Sequence, residues 1–467
     1  MYMKEIIKSK KYIIVWISLL SIYSLFLIQS QDSDMFWLIS NGREILKNGF
    51  LYENPATIIQ TPLINQQWLY CVLTALVDKL GYFGHIGFVL IQNILLVSLI
   101  TYFINKKIQN KKVSAIIAMI ILLLSFPYMI NIRPQCITTC LLLLHIILLD
   151  KSIKEPLFLL FLPIIIVLEA NLHGSVVLYH IFISLPFIVQ NKKINWLILL
   201  STICILPLSI INPYSLHGTL YVFKAFLDNS FGYVSINELK PLSIFSIYSI
   251  PTVISIFAIT YLVYKKKINN YILFYSISIV LLSLFRVKHL ALCTIPLIYL
   301  LPELYILFKE KIKLSLILKG SGLLFLWSSL VLVIVLLTET VDKRNIVSAT
   351  TPITLVQQIP DKNANVYTEF NNGGYLQYMG FDHIFIDARP EIYINNDLLK
   401  TYSILSYGKN PITKQYYKLE ELEKILDSYN FKYILCDKTS MINRICELND
   451  KYQFIDADDY TNLYIIN

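Results

Sequence analysis

The sequence of 467 residues is poor in charge: only 15% of its residues are Asp, Glu, Lys or Arg, whereas 56% are hydrophobic. Soluble proteins carry about 25% charged residues. The shortage excludes an ordinary soluble protein and indicates a chain that lies mostly in a membrane. Because one bilayer span uses about 20 residues, the length gives no count of soluble domains.

The chain also lacks the short motifs of several enzyme classes. It has no nucleophile elbow, no P-loop, no dinucleotide-binding glycine signature and no His-Glu-x-x-His metal motif. Without a glycine loop that holds phosphates, nucleotide hydrolysis is not expected. The seven cysteines are scattered, and Cys136 and Cys140 have no His or Cys cluster around them, which argues against a zinc site.

What the chain has instead is long apolar runs that alternate with short basic loops. The hydropathy window predicts about eleven membrane spans. They lie near 12–30, 84–104, 113–131, 136–149, 156–172, 175–190, 195–211, 247–264, 271–286, 289–308 and 314–338. The fold class expected is therefore a polytopic α-helical membrane protein with about eleven transmembrane helices.

The lysines indicate the orientation of these spans. They precede the first span and follow every second one, while the opposite loops are poorer in Lys and Arg. The positive-inside rule then predicts a multi-pass plasma-membrane protein with a cytoplasmic N-terminus and an extracytoplasmic C-terminus. Because the net charge of +9 lies largely in loops that face lipid, we expect membrane lipids as partners and no nucleic acid.

The composition changes near residue 339, where charges become frequent. We therefore expect a membrane module over 1–338 and a small extracytoplasmic α/β domain over 339–467. Gly373 and Gly374 indicate a tight turn in that domain. Its predicted strands are Val366–Phe370, His383–Ala388, Phe431–Cys436 and Asn462–Ile466, and its predicted helices are Leu419–Tyr429 and Ser440–Leu448.

Two carboxylates, Asp32 and Asp34, directly follow the first span on its outer side. Carboxylates at a membrane surface can bind a divalent cation or take a proton from a nucleophile. The alternative is that they cap the helix that follows. The apolar residues of that helix share one face, so we expect it to lie on the bilayer, with a second short helix at 68–80.

Cations are predicted on the same side of the membrane. Arg133 precedes the fourth span, and Arg286, Lys288 and His289 follow the ninth. Single cations at such positions often only extend towards the lipid surface. Several that converge from different spans would form a pocket for a phosphate group, because guanidinium forks pair well with phosphate oxygens.

Three further regions could line an outer cavity. Glu169 and His173 share a helix face, with Asn171 between them, and either pair with a neighbouring span or face the cavity. The loop 212–246 carries Glu238. In the outer domain, the stretch around Asp387 and Arg389 is either an ion pair that holds a loop or an edge that faces the substrate.

Taken in order, these motifs resemble the GT-C superfamily of polytopic glycosyltransferases, and a bacterial branch of it in particular. The resemblance extends over nearly the whole chain. It consists of Asp32, Asp34, Trp37, Gly42, Arg43 and Gly49 in the first outer loop; Trp68 and Leu69; Arg133 and Pro134; Asn171, His173 and Gly174; Asn212 and Pro213; Gly373–Leu376; and Ile386–Arg389. One departure is Leu38, which stands where the branch has His.

The resemblance implies a transfer, with inversion, of a hexose or pentose from a polyprenyl-phosphate sugar donor to a glycan, lipid or protein acceptor. It implies that Asp34 or Asp32 is the base or holds Mg²⁺ or Mn²⁺, and that Arg133, Arg286, Lys288 and His289 hold the donor phosphate. The residues expected along the cavity, from the resemblance and from their positions in outer loops and at span ends, are Trp37, Arg43, Trp68, Glu169, Asn171, His173 and Glu238.

Two other functions remain open from the sequence. A polysaccharide polymerase or ligase that acts on undecaprenyl-linked glycans would place its key residues in a large central outer loop. A transporter or flippase of lipid-linked saccharides would perform no chemistry, and would show charges deep in several spans and inverted repeats, neither of which is clear here.

Overall fold

The computed structural model describes residues 33–125, 132–190, 193–227, 240–246, 249–309, 350–393 and 397–466. The chain forms two compact units. The first, here called the helical unit, includes residues 80–211 and 237–346. The second, here called the mixed unit, comprises residues 31–79, 212–236 and 347–467. The predicted spans near 12–30 and 314–338 lie outside the described residues.

Helices make up most of the described chain. In chain order they are α1 (Asp34–Asn48), α2 (Trp68–Asp78), α3 (Gly81–Ile108), α4 (Lys111–Leu124), α5 (Gln135–Ser152), α6 (Leu162–Leu172), α7 (Val177–Ile188), α8 (Trp196–Ile203), α9 (Ile205–Ser209), α10 (Ser215–Leu227), α11 (Ile250–Tyr264), α12 (Asn270–Phe285), α13 (Thr294–Phe308), α14 (Ile353–Gln357), α15 (Gly373–Tyr378), α16 (Leu398–Tyr407), α17 (Leu419–Asp427) and α18 (Met441–Leu448). Short 3₁₀ turns occupy Pro156–Phe161, Gly174–Val176, Val287–Cys293 and Pro390–Tyr393.

The strands are fewer. They are β1 (Val189–Gln190), β2 (Lys193–Ile194), β3 (Val366–Thr368), β4 (Tyr433–Asp437), β5 (Tyr452–Ala457) and β6 (Thr461–Ile466). The first two pair as a short antiparallel ladder. The other four form one sheet in the order β3-β4-β6-β5, in which only the β3–β4 pair is parallel.

The helical unit has the composition of a membrane domain. Within the described residues, three helical stretches are long and apolar enough to cross a bilayer, namely Phe83–Ile108, Gln135–Ser152 and Val287–Phe308. The predicted spans between 84 and 308 all coincide with helical segments, several of them shorter than a full span. The helical membrane fold is thus as predicted, whereas the number of eleven spans remains a prediction.

Ion pairs join the basic ends of three of these helices. Lys106 at the end of α3 pairs with Asp150 at the end of α5. Its neighbour Lys107 pairs with Glu303 in the second half of α13. The ends that the lysine pattern assigns to one side of the membrane therefore meet within the unit.

The mixed unit contains the predicted α/β fold. Strands β3, β4 and β6 and helices α17 and α18 all lie where the sequence pattern indicates them. β4 is central and almost wholly buried, with Ile434 paired to Tyr367 on one side and to Tyr464 on the other. The edge strand β5 was not predicted, because its residues Gln453–Ile455 are not buried and give no alternating pattern.

Two local predictions are wrong. His383–Ala388 is not a strand, because Ile384 makes only isolated bridges, one to Val366 and one to Thr57. Gly373 and Gly374 form no tight turn but begin helix α15. Glycine is required there for close contact, since a Cβ on Gly373 would lie 2.0 Å from the carbonyl oxygen of Ile386.

The mixed unit combines residues from both predicted domains. The backbone N–H of Ile58 donates to the carbonyl of Ile384 (3.0 Å), and Leu63 belongs to the same apolar core as Tyr367. Helix α1 packs on α2 and α15. Its apolar face, which we expected to lie on the bilayer, is instead buried in protein.

Candidate functional site

The predicted acid Asp34 begins helix α1 and is partly buried. The indole Nε1 of Trp37, one turn later, donates to its Oδ1 at 3.0 Å. Ser33 occupies the N-cap position, so Asp34 is not itself the capping residue. A carboxylate in the first turn is stabilised by the positive end of the helix dipole. Asp32 lies outside the described residues.

The other side of Trp37 contacts a residue from the C-terminal part of the chain. The guanidinium carbon of Arg389 lies 5.2 Å from the centroid of the Trp37 ring, within the range of a cation–π interaction. Both side chains are buried. The sequence indicated each residue separately but gave no sign that they meet.

Arg389 is held by several groups at once. Its Nε donates to Asp387 Oδ1 at 3.0 Å, and its Nη2 forms a short ion pair with Asp387 Oδ2. The same Nη2 donates to Asn54 Oδ1 at 3.0 Å. Asp387 and Arg389 thus form an ion pair that holds the loop, and because both are buried they do not form an exposed edge.

Arg43 and Trp68 have contacts that fix helices within the mixed unit. The Arg43 Nη2 donates to Asp78 Oδ2 at 2.5 Å and its Nη1 donates to the carbonyl of Tyr378 at 3.1 Å. The Trp68 ring meets that of Phe50 edge-on at 5.0 Å. Their predicted role along a cavity remains a prediction.

In the helical unit, the predicted phosphate-binding residues come together at helix ends. Arg133 and Lys288 both lie within electrostatic range of His173. Arg286 and Lys288 lie in the same relation to His289. Since α5 begins just after Arg133 and α12 ends just before Arg286, the positive charge gathers where these helices terminate.

The sequence reasoning missed Tyr179. Its hydroxyl lies 2.6 Å from His289 Nδ1, and His289 is buried. Arg286 also lies within electrostatic range of the Tyr179 hydroxyl. A tyrosine in an apolar run gives no signal by itself, so only the fold could show this contact.

Glu169 lies at the centre of a buried polar chain across helices α5, α6 and α7. Thr138 Oγ1 donates to Glu169 Oε1 at 2.7 Å and also lies 3.0 Å from His173 Nδ1. On the other side, Glu169 Oε2 lies 3.5 Å from His180 Nε2. The chain continues from His180 Nδ1 to His145 Nδ1 at 2.7 Å. Glu169 thus pairs with neighbouring spans, one of the two alternatives left open by the sequence, and its place along a cavity remains a prediction.

His145 and His180 were not among the predicted site residues. An ionisable side chain within an apolar span is itself a signal of a built polar site, and that signal was available in the sequence. Asn171 has a different role: its Nδ2 donates to the carbonyls of Val167 (2.7 Å) and Ile211 (2.8 Å). Glu238 lies outside the described residues.

The predicted ligands of Mg²⁺ or Mn²⁺ are Asp32 and Asp34. Among the described residues no group of three His, Cys, Asp or Glu side chains could hold a metal ion. Of the two predicted ligands only Asp34 is described. Metal binding by Asp32 and Asp34 therefore remains a prediction.

No model of a known protein family matches the sequence, and no curated protein matches it either. Among solved structures, the apo form of the oligosaccharyltransferase from Archaeoglobus fulgidus is similar, with a TM-score of 0.54 and 10% sequence identity. The match covers 97% of this chain and 74% of that protein. The similarity shows a shared fold.

Proposed function

We propose that this protein is a membrane glycosyltransferase of the GT-C type, in the bacterial branch that its motifs resemble. In this proposal it transfers one sugar from a polyprenyl-phosphate donor to an extracytoplasmic glycan, lipid or protein acceptor. The fold shared with an oligosaccharyltransferase supports a lipid-linked donor. The single observation that carries the proposal is the position of Asp34, fixed at the start of α1 by the indole of Trp37.

Asp34 is suited to take a proton from the acceptor. The hydroxyl or amide of the acceptor attacks the anomeric carbon as its proton passes to the Asp34 carboxylate. The bond between the anomeric carbon and the phosphate oxygen breaks, and attack from the opposite face inverts the configuration. A carboxylate that already accepts a hydrogen bond from its own helix does not have to be ordered at the moment of reaction.

The departing polyprenyl phosphate gains negative charge as this bond breaks. Preorganised cations stabilise such charge more strongly than they stabilise the intact donor. The helical unit gathers three such cations, of which Arg286 and Lys288 flank the same turn, together with the buried ring of His289. We assign Arg133, Arg286, Lys288 and His289 to this phosphate.

The test is to incubate the purified protein in lipid nanodiscs with a panel of polyprenyl-phosphate sugars and acceptors. Released polyprenyl phosphate and glycosylated product are measured by mass spectrometry. We expect Asp34→Asn to abolish release while insertion and thermal stability remain normal, and Asp32→Asn to reduce release less. Asp361→Asn is the matched control, because Asp361 is a partly exposed carboxylate of the C-terminal part of the chain that accepts from Lys432 and from the backbone N–H of Asn363.

Other outcomes would point elsewhere. Normal turnover by both single variants and by the double variant would show that the first-loop acids are not catalytic. Movement of the lipid-linked sugar across the bilayer without release of lipid phosphate would favour the transporter. Products that grow by many sugar units per acceptor would favour the polymerase.

A further inference from the structure

We infer that Arg389 is a positioning residue for the acid Asp34 and acts on it through the indole ring of Trp37. The inference rests on the proposed function and adds two residues, Arg389 and its partner Asp387, to the machinery of the site. Both come from the C-terminal part of the chain, which the sequence pattern assigned to a separate α/β domain. All the contacts involved lie within the mixed unit.

The first step is that Asp34 depends on the orientation of Trp37. An N–H donor stabilises a carboxylate only when it points at the oxygen, and the bond weakens steeply away from linearity. The 3.0 Å contact between Nε1 and Oδ1 therefore requires one particular rotation of the indole. A rotation of the Trp37 ring would withdraw this hydrogen bond from the carboxylate.

The second step is that Trp37 is held from outside its own helix. The Arg389 guanidinium lies against its ring at 5.2 Å. On the backbone side, α15 comes so close that a Cβ on Gly374 would lie 3.6 Å from the Trp37 Cβ and 3.0 Å from the carbonyl oxygen of Ser33. Arg389 and Gly374 thus restrict the ring and the start of α1 together.

The third step is that Arg389 is itself fixed. Asp387 accepts from its Nε and Nη2, and Asn54 accepts from Nη2 as well. The Asp387 backbone N–H donates to the Tyr393 hydroxyl at 3.0 Å, which orders the loop that carries the pair. Planar guanidinium forks lose little freedom when bound this way, whereas a lysine would not reproduce the geometry.

The ion pair with Asp387 decides how Arg389 acts on Asp34. Because the Asp387 carboxylate cancels most of its charge, Arg389 has little long-range electrostatic effect on Asp34. The short-range contact of the guanidinium with the aromatic face still favours one orientation of the indole. The effect on Asp34 is therefore one of geometry and not of net charge.

The experiment compares two variants in the release assay. Trp37→Phe keeps an aromatic ring for Arg389 but removes the N–H donor. Arg389→Lys keeps the positive charge beside Asp387 but removes the planar fork. We expect kcat to fall about 10- to 100-fold in each, as for a misplaced catalytic group, with the donor KM within about twofold.

The pH profile is a second readout. Removing the donor destabilises the ionised carboxylate, so the acid limb of kcat should move to higher pH in Trp37→Phe. That substitution removes a hydrogen bond from Asp34 alone. The other described titratable and charged groups on α1, α2, α15 and the loop of the ion pair keep their partners: Arg43, Glu44, Lys47, Tyr70, Cys71, Asp78, Tyr375, Tyr378, Asp387 and Arg389.

Matched controls use the same substitutions elsewhere. Trp196→Phe changes an exposed tryptophan of the helical unit, and Arg444→Lys changes an exposed arginine on α18. Both should retain the wild-type kcat and pH profile. The double variant Trp37→Phe with Arg389→Lys should be no slower than the slower single variant, because both changes act through one hydrogen bond.

The results separate this inference from the proposed function. If Asp34→Asn is inactive but Trp37→Phe has the kcat and acid limb of the wild type, the inference is overturned and the proposed function stands. If Asp34→Asn remains active, Asp34 is not the base and the inference is overturned; the proposed function fails with it only if the double variant with Asp32→Asn is also active. A loss of activity in Trp37→Phe that follows a loss of thermal stability, with no shift of the acid limb, also overturns the inference. Wild-type kcat and acid limb in Arg389→Lys overturn the inference as well. Should Arg389→Lys not fold, Asn54→Ala, which removes one acceptor of the Arg389 Nη2 group, is measured in its place.

Discussion

Helix α1 lies so close to helix α2 that a Cβ on Gly42 would lie 1.9 Å from the carbonyl oxygen of Cys71. That oxygen belongs to the backbone of the neighbouring helix and cannot move without shifting the helix. Gly42, one of the motif residues of the first outer loop, therefore allows two helices to touch because it has no side chain. Because α1 also carries Asp34, this contact sets where the acid lies.

We expect Gly42→Ala to destabilise the mixed unit by about 1–3 kcal/mol or more, the range for overpacked interiors. In a helix, alanine is otherwise favoured over glycine by roughly 0.5–1 kcal/mol, so the clash must exceed that gain. Thermal unfolding in detergent measures the change. Gly87→Ala is the control, because nothing lies within 4 Å of a Cβ at Gly87. Equal stability of the two variants would contradict the close packing of α1 on α2.

A second prediction concerns a buried carboxyl in the mixed unit. Glu369 accepts hydrogen bonds from Tyr402 (2.7 Å), from Ser406 (3.3 Å) and from the backbone N–H of Asp437 (3.4 Å). Burial and, to a smaller extent, the nearby carboxylate of Asp437 nevertheless raise the pKa of Glu369 from its ordinary 4.5 to about 7. Between these two values the folded protein holds a proton that the unfolded chain has lost.

The unit should therefore lose stability as the pH rises through this window. Below about pH 4.5 the ionisation of Glu369 does not change the free energy of unfolding, and above about pH 7 its full destabilising effect is reached. The total loss in the free energy of unfolding is on the order of 3 kcal/mol. Glu369→Gln removes the ionisation and should flatten the pH dependence of the unfolding temperature. Glu420→Gln, at an exposed position on α17, should follow the wild type. A Glu369→Gln curve parallel to the wild-type curve would rule out this carboxyl as the cause.

The third prediction addresses the buried polar chain of the helical unit. Thr138 donates to Glu169 at 2.7 Å, and both side chains are buried. A double-mutant cycle with Thr138→Val and Glu169→Gln measures their coupling free energy. Hydrogen bonds between membrane helices average about 0.6 kcal/mol and reach about 1.7 kcal/mol, and we expect a value in the upper half of that range because of the short distance.

The control cycle pairs Thr138→Val with Ser276→Ala, since Ser276 is buried on α12 and does not bond to Thr138. That cycle should be additive within the experimental error of about 0.3–0.5 kcal/mol. Coupling of similar size in both cycles would mean that the effect is a general loosening of the unit and not the bond between Thr138 and Glu169.

Much of the fold followed from sequence because its signals are local. Apolar runs and lysine loops indicated helical segments between 84 and 308, and alternation indicated β3, β4 and β6. The grouping of residues 31–79 with the C-terminal part depended on contacts such as Arg389 with Asn54, which lie 335 positions apart. No periodic pattern records such contacts.

The candidate site divides in the same way. Asp34, Trp37 and Arg389 were each identified from motifs, but their contact was not. Tyr179 was missed because a tyrosine in an apolar run is ordinary. The extended stretch His383–Ala388 was mistaken for a strand, since its apolar residues are buried by contacts on two sides and not by a ladder.

The last prediction concerns the donor phosphate. Arg286 ends α12, has a partly exposed side chain and lies within electrostatic range of both Tyr179 and His289. If these residues hold the phosphate, Arg286→Ala removes one of its cations from both the bound donor and the transition state. We expect the donor KM to rise several-fold, corresponding to a loss of about 1–2 kcal/mol, and kcat to fall as well, because the phosphate gains charge when the sugar leaves.

Lys265→Ala is the matched control, because Lys265 is an exposed cation just after α11, where the lysine pattern predicts the cytoplasmic side. The same net charge is lost in both variants, so a general electrostatic attraction of the anionic donor would change KM in both. Raising the salt concentration should weaken donor binding in the wild type more than in Arg286→Ala, since screening acts on the charge that the variant no longer has. A donor KM that is unchanged in Arg286→Ala, or raised equally in Lys265→Ala, would remove Arg286 from the phosphate site.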